Sequence, residues 1–226
     1  MTVQAESGPP RTYVRREGRI TPAQKRALEQ WLPRYAWPDG RAEPAAVFGR
    51  TAPLTIEIGF GNGENLAAQA AAAPERDFIG LEVHRPGVGT LLQAAAAQSL
   101  NNLRVSTRDA TAFLREALPP ACADVIQVFF PDPWPKKRHH KRRMIRPDVL
   151  DCIAACLKPN GELLLATDWD DYAQQMHAEL EAHPAFANRE ASGGEAPRAE
   201  RVLTRFERRA QRLGHTIHDF AYLRAL

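Results

Sequence analysis

The chain has 226 residues, 44% of them hydrophobic and 25% charged, with a formal net charge of +3. This size and mixture predict one globular α/β domain with small additions, and argue against a disordered or fibrous chain. No run of about 18 apolar residues occurs, so no membrane-spanning helix is expected, and the polar, basic start predicts no secretory leader and a cytoplasmic protein.

Residues 1–20 read as a basic arm carrying Arg11, Arg15, Arg16 and Arg19. Thr21-Pro22 is a helix start, with Thr as cap and Pro in the first turn, and the helix should run to about Leu32. Residues 33–50 are rich in Pro and Gly and read as a linker. The division expected is therefore an arm, helix and linker over 1–50, followed by a catalytic domain over 51–226.

From residue 54 short apolar runs alternate with longer helix-like stretches. The strand candidates are Leu54–Ile58, Phe78–Val83, Leu103–Ser106, Asp124–Phe130 and Gly161–Thr167. Between them lie helix candidates over 64–73, 87–100, Thr111–Leu118 and Pro147–Leu157, with another over 170–182. Apolar strands separated by helices predict a mostly parallel, doubly wound sheet covered on both faces. A final pair, Val202–Thr204 and Thr216–Tyr222, should add edge strands and bring the sheet to seven.

Three cysteines, Cys122, Cys152 and Cys156, form no CxxC pair. Cys152 and Cys156 are four apart, but two thiols are half a zinc site, so core thiols and no metal are expected.

The charge is unevenly placed. Lys136 to Arg146 holds seven Lys/Arg, two His and no acid, which leaves about −4 for the rest of the chain. This pattern predicts a polyanion on one face and a cationic ligand on another.

The first strand runs through Glu57 into a turn with Gly59, Gly61 and Gly63. A dinucleotide fingerprint would need glycine at 64, where Glu64 stands instead and would repel a pyrophosphate at the helix start. Four acids fall at successive strand ends, where open α/β sheets bind ligands: Glu57, Glu82, Asp109 and Asp132. An acid in the place of Glu82 bridges ribose hydroxyls in such sheets, and Asp109 reads equally well as a helix cap. The most informative stretch is Phe129 to Arg143. Asp132 sits between Pro131 and Pro133, Trp134 offers a face on which a base could stack, and Lys136, Lys137, Arg138, His139, His140, Lys141, Arg142 and Arg143 follow at once as a phosphate-binding surface.

The run P-D-P-W-P-K-K-R-H-H-K-R-R resembles the hallmark of the bacterial tRNA (guanine-N7-)-methyltransferase family, within the class I S-adenosylmethionine-dependent methyltransferases. The resemblance extends from Val14–Arg19 to the C-terminus. It includes G-F-G-N-G at 59–63, G-L-E-V-H at 80–84, Ala166–Trp169 and Thr204-Arg205-Phe206-Glu207, while 38–50 and 186–200 carry no recognisable motif. It implies a seven-stranded Rossmann-like fold, S-adenosylmethionine as cofactor with S-adenosylhomocysteine as product, and tRNA as the partner, methylated on a variable-loop guanosine, with no obligatory protein partner.

The resemblance also implies cofactor contacts from Glu57, Glu82, Asp109 and Asp132, with Gly59, Gly61 and Gly63 beneath. Asp132 would be catalytic, and Lys136, Asp168, Thr204, Arg205, Phe206 and Glu207 would hold the RNA. Guanine offers donors at N1 and N2, so a carboxylate such as Asp168 or Glu207 can accept both. Without the family, Thr204–Glu207 is only a helix start. The residues also admit two other readings. A nicotinamide-dependent oxidoreductase is opposed by Glu64, and a non-catalytic RNA-binding module is opposed by the complete set of acids and glycines.

Overall fold

The computed structural model describes residues 19–225. The arm's Arg11, Arg15 and Arg16, and the family-like stretch before Arg19, lie outside the described residues. Helix α1 (Pro22–Tyr35) begins on a complete capping box: Thr21 Oγ1 accepts from Gln24 N at 3.2 Å, and Gln24 Oε1 accepts from Thr21 N at 2.9 Å. It runs past Pro33, three residues beyond the expected end.

The stretch read as a linker is built into the domain. Tyr35 is fully buried, Trp37 N donates to Val105 O, and the Trp37 ring meets Phe113 edge-on at 5.8 Å. A short helix, α2 (Pro44–Phe48), follows. Local composition suggested a connector, but the large aromatic surfaces bury against the sheet instead.

The alternation then proceeds as the periodicity implies: β1 (Leu54–Ile58), α3 (Glu64–Ala72), β2 (Asp77–Leu81), α4 (Arg85–Ala97), β3 (Leu103–Ser106), α5 (Ala110–Glu116) and β4 (Ala123–Phe129). A 3-10 turn spans Lys137–Arg142, followed by α6 (Pro147–Cys156), β5 (Leu157–Thr167) and α7 (Asp170–Ala182). The chain ends with β6 (Phe186–Asn188), α8 (Arg205–Leu213) and β7 (His218–Arg224).

The seven strands form one sheet in the order β3-β2-β1-β4-β5-β7-β6. Strands β1 to β5 run parallel to one another, whereas β7 runs antiparallel to both β5 and β6. One expectation fails. Val202–Thr204 is not a strand, and β6 takes the edge position. The Val202 N–H goes to a side chain, Asn65 Oδ1, and Thr204 Oγ1 caps α8 by accepting from Glu207 N. With those groups engaged, residues 202–204 have no ladder to join.

Every residue of β1 is buried, because helices cover both sheet faces. Leu54, Ile56 and Ile58 join a core with residues of α5, α6 and α7, while Phe78, Leu103 and Val105 join a second core with α1, α3 and α4. Cys152 and Cys156 are buried, and burial pushes the Cys156 thiol up to about 12. Among the described residues no helix is long and apolar enough to cross a membrane. The strand order reverses between β1 and β4, so the crevice of this sheet opens at their carboxyl ends.

Candidate active site

The glycine turn is shaped by close approaches. Gly59, Gly61 and Gly63 all have positive φ, between 59° and 76°. At Gly63, which caps α3 in the left-handed region, a Cβ would sit 2.7 Å from Leu91, so a side chain is excluded twice over. Glu82, just past β2, splints the turn: Oε2 accepts from Gly61 N and Oε1 from His84 N, each at 2.9 Å. Burial raises its carboxyl above the usual range, and those backbone bonds oppose the rise. Glu64, the residue that spoiled the dinucleotide fingerprint, pairs with Arg208 of α8 at 3.2 Å.

Glu57 lies in β1 itself, 4% exposed. Burial pushes its carboxyl up to about 7, with Glu82 adding a smaller upward push, against a hydrogen bond from Asn65 Nδ2 at 3.1 Å. Its side-chain partner is thus a neutral amide. A buried acid facing a crevice without a paired cation is suited to a cationic ligand. Asp109, beyond β3, caps α5 through Oδ1, which accepts from Ala112 N at 3.0 Å. The cap reading of this residue is therefore realised, and it does not exclude a ligand role.

Asp132 is exposed, on the loop after β4. The backbone on each side is held in the left-handed region, at Phe130 (φ 53°) and Trp134 (φ 46°). Non-glycine residues keep such angles only where the surroundings enforce them. One enforcing group is Arg143. Its side chain is 1% exposed; Nε donates to Pro133 O at 2.8 Å, and the other nitrogens donate to Gln175 at 2.7 Å and Asp171 at 2.5 Å. The guanidinium also lies 4.7 Å from the Tyr172 ring centre. This corrects the expectation that Arg143 joins the phosphate surface: it is an internal strut under the Asp132 loop.

The rest of the basic cluster divides by position. Lys136, Lys137, Arg138 and Lys141 are exposed. Arg142 stacks its guanidinium over Trp134 at 5.1 Å, and His139 meets the same ring edge-on at 5.8 Å. Trp134 is thus already flanked by two side chains and is less open to a base than expected. Desolvation and then the charges of Arg138 and Arg142 hold the His139 imidazole below its usual range. His140 Nε2 lies 3.7 Å from Asp171.

The segment 198–207, here called the strap, crosses the mouth of the crevice. Thr204, Arg205 and Phe206 line the same pocket as Glu57, Gly59 and Phe60. A Cβ on Gly61 would meet Phe206 at 3.6 Å. Glu207 is fully buried, its oxygens accepting from Arg198 at 2.8 and 3.1 Å and from Arg201 at 3.1 and 3.2 Å. Burial pushes this carboxyl up, but the two guanidiniums outweigh it and hold it below the usual range. Arg201 also pairs with Asp219 and lies over the Phe129 and Phe130 rings at 5.1 and 5.5 Å. Glu207 is therefore not the free acceptor for a guanine edge that the sequence suggested, because both its oxygens are taken by Arg198 and Arg201. Asp168, partly exposed and 3.3 Å from His215 Nδ1, keeps that possibility. Asn65, Arg198 and Arg201 escaped the sequence reading, since no helix, strand or turn spacing marks their partners, 137 residues away for Asn65 and nine and six for the two arginines on Glu207.

A family model described as "Putative methyltransferase" matches residues 51–220. The chain is 50% identical to a tRNA (guanine-N(7)-)-methyltransferase of Nitrosococcus oceani, covering 99% of this chain and 95% of that one. It is 51% identical to the enzyme so named in Halorhodospira halophila, covering 94% of each. Among solved structures, the 16S rRNA methyltransferase KamB superposes with a TM-score of 0.58 at 15% identity, over 85% of this chain and 99% of that one, a likeness of fold.

Proposed function

This chain belongs to the tRNA (guanine-N(7)-)-methyltransferase family, and we propose from that premise that it transfers a methyl group from S-adenosylmethionine to N7 of a variable-loop guanosine in tRNA. The observation that carries the reading is near-full-length identity of about half to relatives of that name, together with a crevice whose buried acid has a neutral partner. Glu57 and Glu82 suit the positive end of the cofactor and its ribose, over the turn Gly59–Gly63. The cofactor's chemistry is to supply an activated methyl group.

Guanine N7 presents an in-plane lone pair, so its methylation removes no proton and needs no general base. The chain's task is to align and to stabilise charge. Asp132, between two prolines and backed by the Arg143 strut, is the side chain assigned to offset the positive charge that appears on the guanine ring. Lys136, Arg138 and Lys141 bind phosphates, with Arg142 and the two histidines at the cluster's inner side. Asp168 accepts from the guanine edge. Thr204, Arg205 and Phe206 face the RNA from the strap. The domain over 51–226 carries this chemistry, with α1 and the buried aromatics before residue 51 packed into it, acting in the cytoplasm.

The test is methyl transfer to unmodified tRNA followed by mapping of the base. N7-methylguanosine in the variable loop is the expected product. Methylation of another base, or none with intact cofactor binding, overturns the proposal.

A further inference from the structure

Asn65 stands in the first turn of α3, 2% exposed, between the crevice and the strap. Its Nδ2 donates to Glu57 Oε2 at 3.1 Å and its Oδ1 accepts from Val202 N at 3.2 Å. A carboxamide serves both because it carries a donor and an acceptor on one planar group; a carboxylate or an alkyl chain serves one or neither. Gln69 and Glu64 of the same helix add contacts to Glu200 O at 3.3 Å and to Arg208 at 3.2 Å.

The strap presents apolar surface outward. Val202, Leu203 and Phe206 on it, with Leu213 at the end of α8, are the exposed large hydrophobic residues among those described. Polar contacts therefore hold it to the body: the buried Arg201–Asp219 pair and Ala199 N to Asp219 on the β7 side, and the contacts from α3 on the other. Arg201, paired with Glu207 and Asp219, anchors one point of the strap, and the Asn65 contact sets where the backbone just beyond that anchor lies.

We propose that Asn65 is a positioning residue that couples the cofactor crevice to the RNA-facing strap, so that each ligand tightens the other. The inference rests on the functional reading above. A cation beside Glu57 keeps it ionised. The carboxylate then demands a donor, which locks the amide with Oδ1 toward Val202. When Glu57 carries its own proton it can donate to the amide oxygen instead. The amide then turns over, presents its NH2 to the Val202 N–H, and the strap contact is lost. The burial that pushes the Glu57 carboxyl to about 7 puts both states within reach near neutral pH.

Calorimetry with unmodified tRNA and S-adenosylhomocysteine tests the coupling, each ligand being titrated with and without the other. In the wild type each should tighten the other by the same factor, about 5- to 20-fold, within the usual range of such couplings. In Asn65→Leu, whose folding is checked by thermal melting, the factor should fall to within about twofold of unity. Wild-type protein that binds both ligands with no mutual effect, or a folded variant that keeps the full factor, overturns the inference alone. A wild type that binds neither overturns the functional reading and the inference with it. Should the variant fail to fold, amide exchange in the wild type decides: S-adenosylhomocysteine should slow exchange of the Val202 N–H several-fold, and an unchanged rate overturns the coupling.

Discussion

Replacing Arg143 by Met separates an internal strut from a phosphate ligand. The guanidinium makes three hydrogen bonds, to Pro133 O, Gln175 and Asp171, and lies over Tyr172. Hydrogen bonds from a charged group are worth about 1.5–3 kcal/mol each when their partners stay buried. Asp171 is 61% exposed, so it returns to water at little cost, and Gln175 is half-buried. The Pro133 carbonyl and the aromatic contact remain, and Met fills much of the space of the stem. The net loss is therefore about 2–4 kcal/mol, somewhat below the roughly 3–5 kcal/mol for breaking a fully buried charge pair, because Asp171 is exposed. For a chain of this size that lowers Tm by roughly 5–15 °C. Turnover should fall as well, because Pro133 adjoins Asp132. The salt dependence of tRNA affinity should keep its slope. Arg138→Ala, at an exposed position, should do the reverse, lowering the slope by about 1 and leaving Tm unchanged. Thermal melting and tRNA titration across salt concentrations give both numbers. An Arg143→Met protein with unchanged Tm and a shallower slope would refute the strut and return Arg143 to the phosphate surface.

Glu57 titrates near 7 in the folded chain against an ordinary 4.5, so the fold holds an extra proton between those values; stability from this group is full below about 4.5, falls as pH rises through 7 and then levels. Affinity for a cationic ligand runs the other way, weakening about tenfold per unit as pH drops below 7; Glu57→Gln should flatten both profiles in melting and in calorimetry, and a variant keeping the wild-type slopes would assign the titration to another group, Glu82 first. Glu82→Ala should weaken cofactor binding by roughly 1.5–3 kcal/mol, and unchanged affinity by calorimetry would remove it from the site. Asp132→Asn keeps the shape and removes the charge, and should slow single-turnover methyl transfer on the order of 10²–10³-fold with tRNA affinity within about tenfold; a near wild-type rate would make Asp132 a structural residue.

The sequence by itself determined the layered core of this protein. Continuous apolar runs such as Leu54–Ile58 are strands buried on both faces, and the Ala-rich stretches between them have few alternatives to helix, so β1 and β3 match the periodicity to the residue. Thr21 with Gln24, and the glycines at 59, 61 and 63, act over four or five residues of backbone, and such local chemistry is readable in a string. What the tertiary structure alone decided lies where partners meet outside any regular helix, strand or turn spacing. Arg143 looks like its neighbours in the basic run, yet it is buried because Asp171, Tyr172 and Gln175 of α7 come beneath it. Glu207 reads as an open carboxylate at a helix start, yet Arg198 and Arg201 fold back onto it. Val202 reads as an edge strand, yet its N–H meets Asn65, 137 positions away. Whether a charged side chain faces water or a counter-charge depends on which elements pack against it, and that is fixed by the energy of burying polar groups with partners rather than by local propensity.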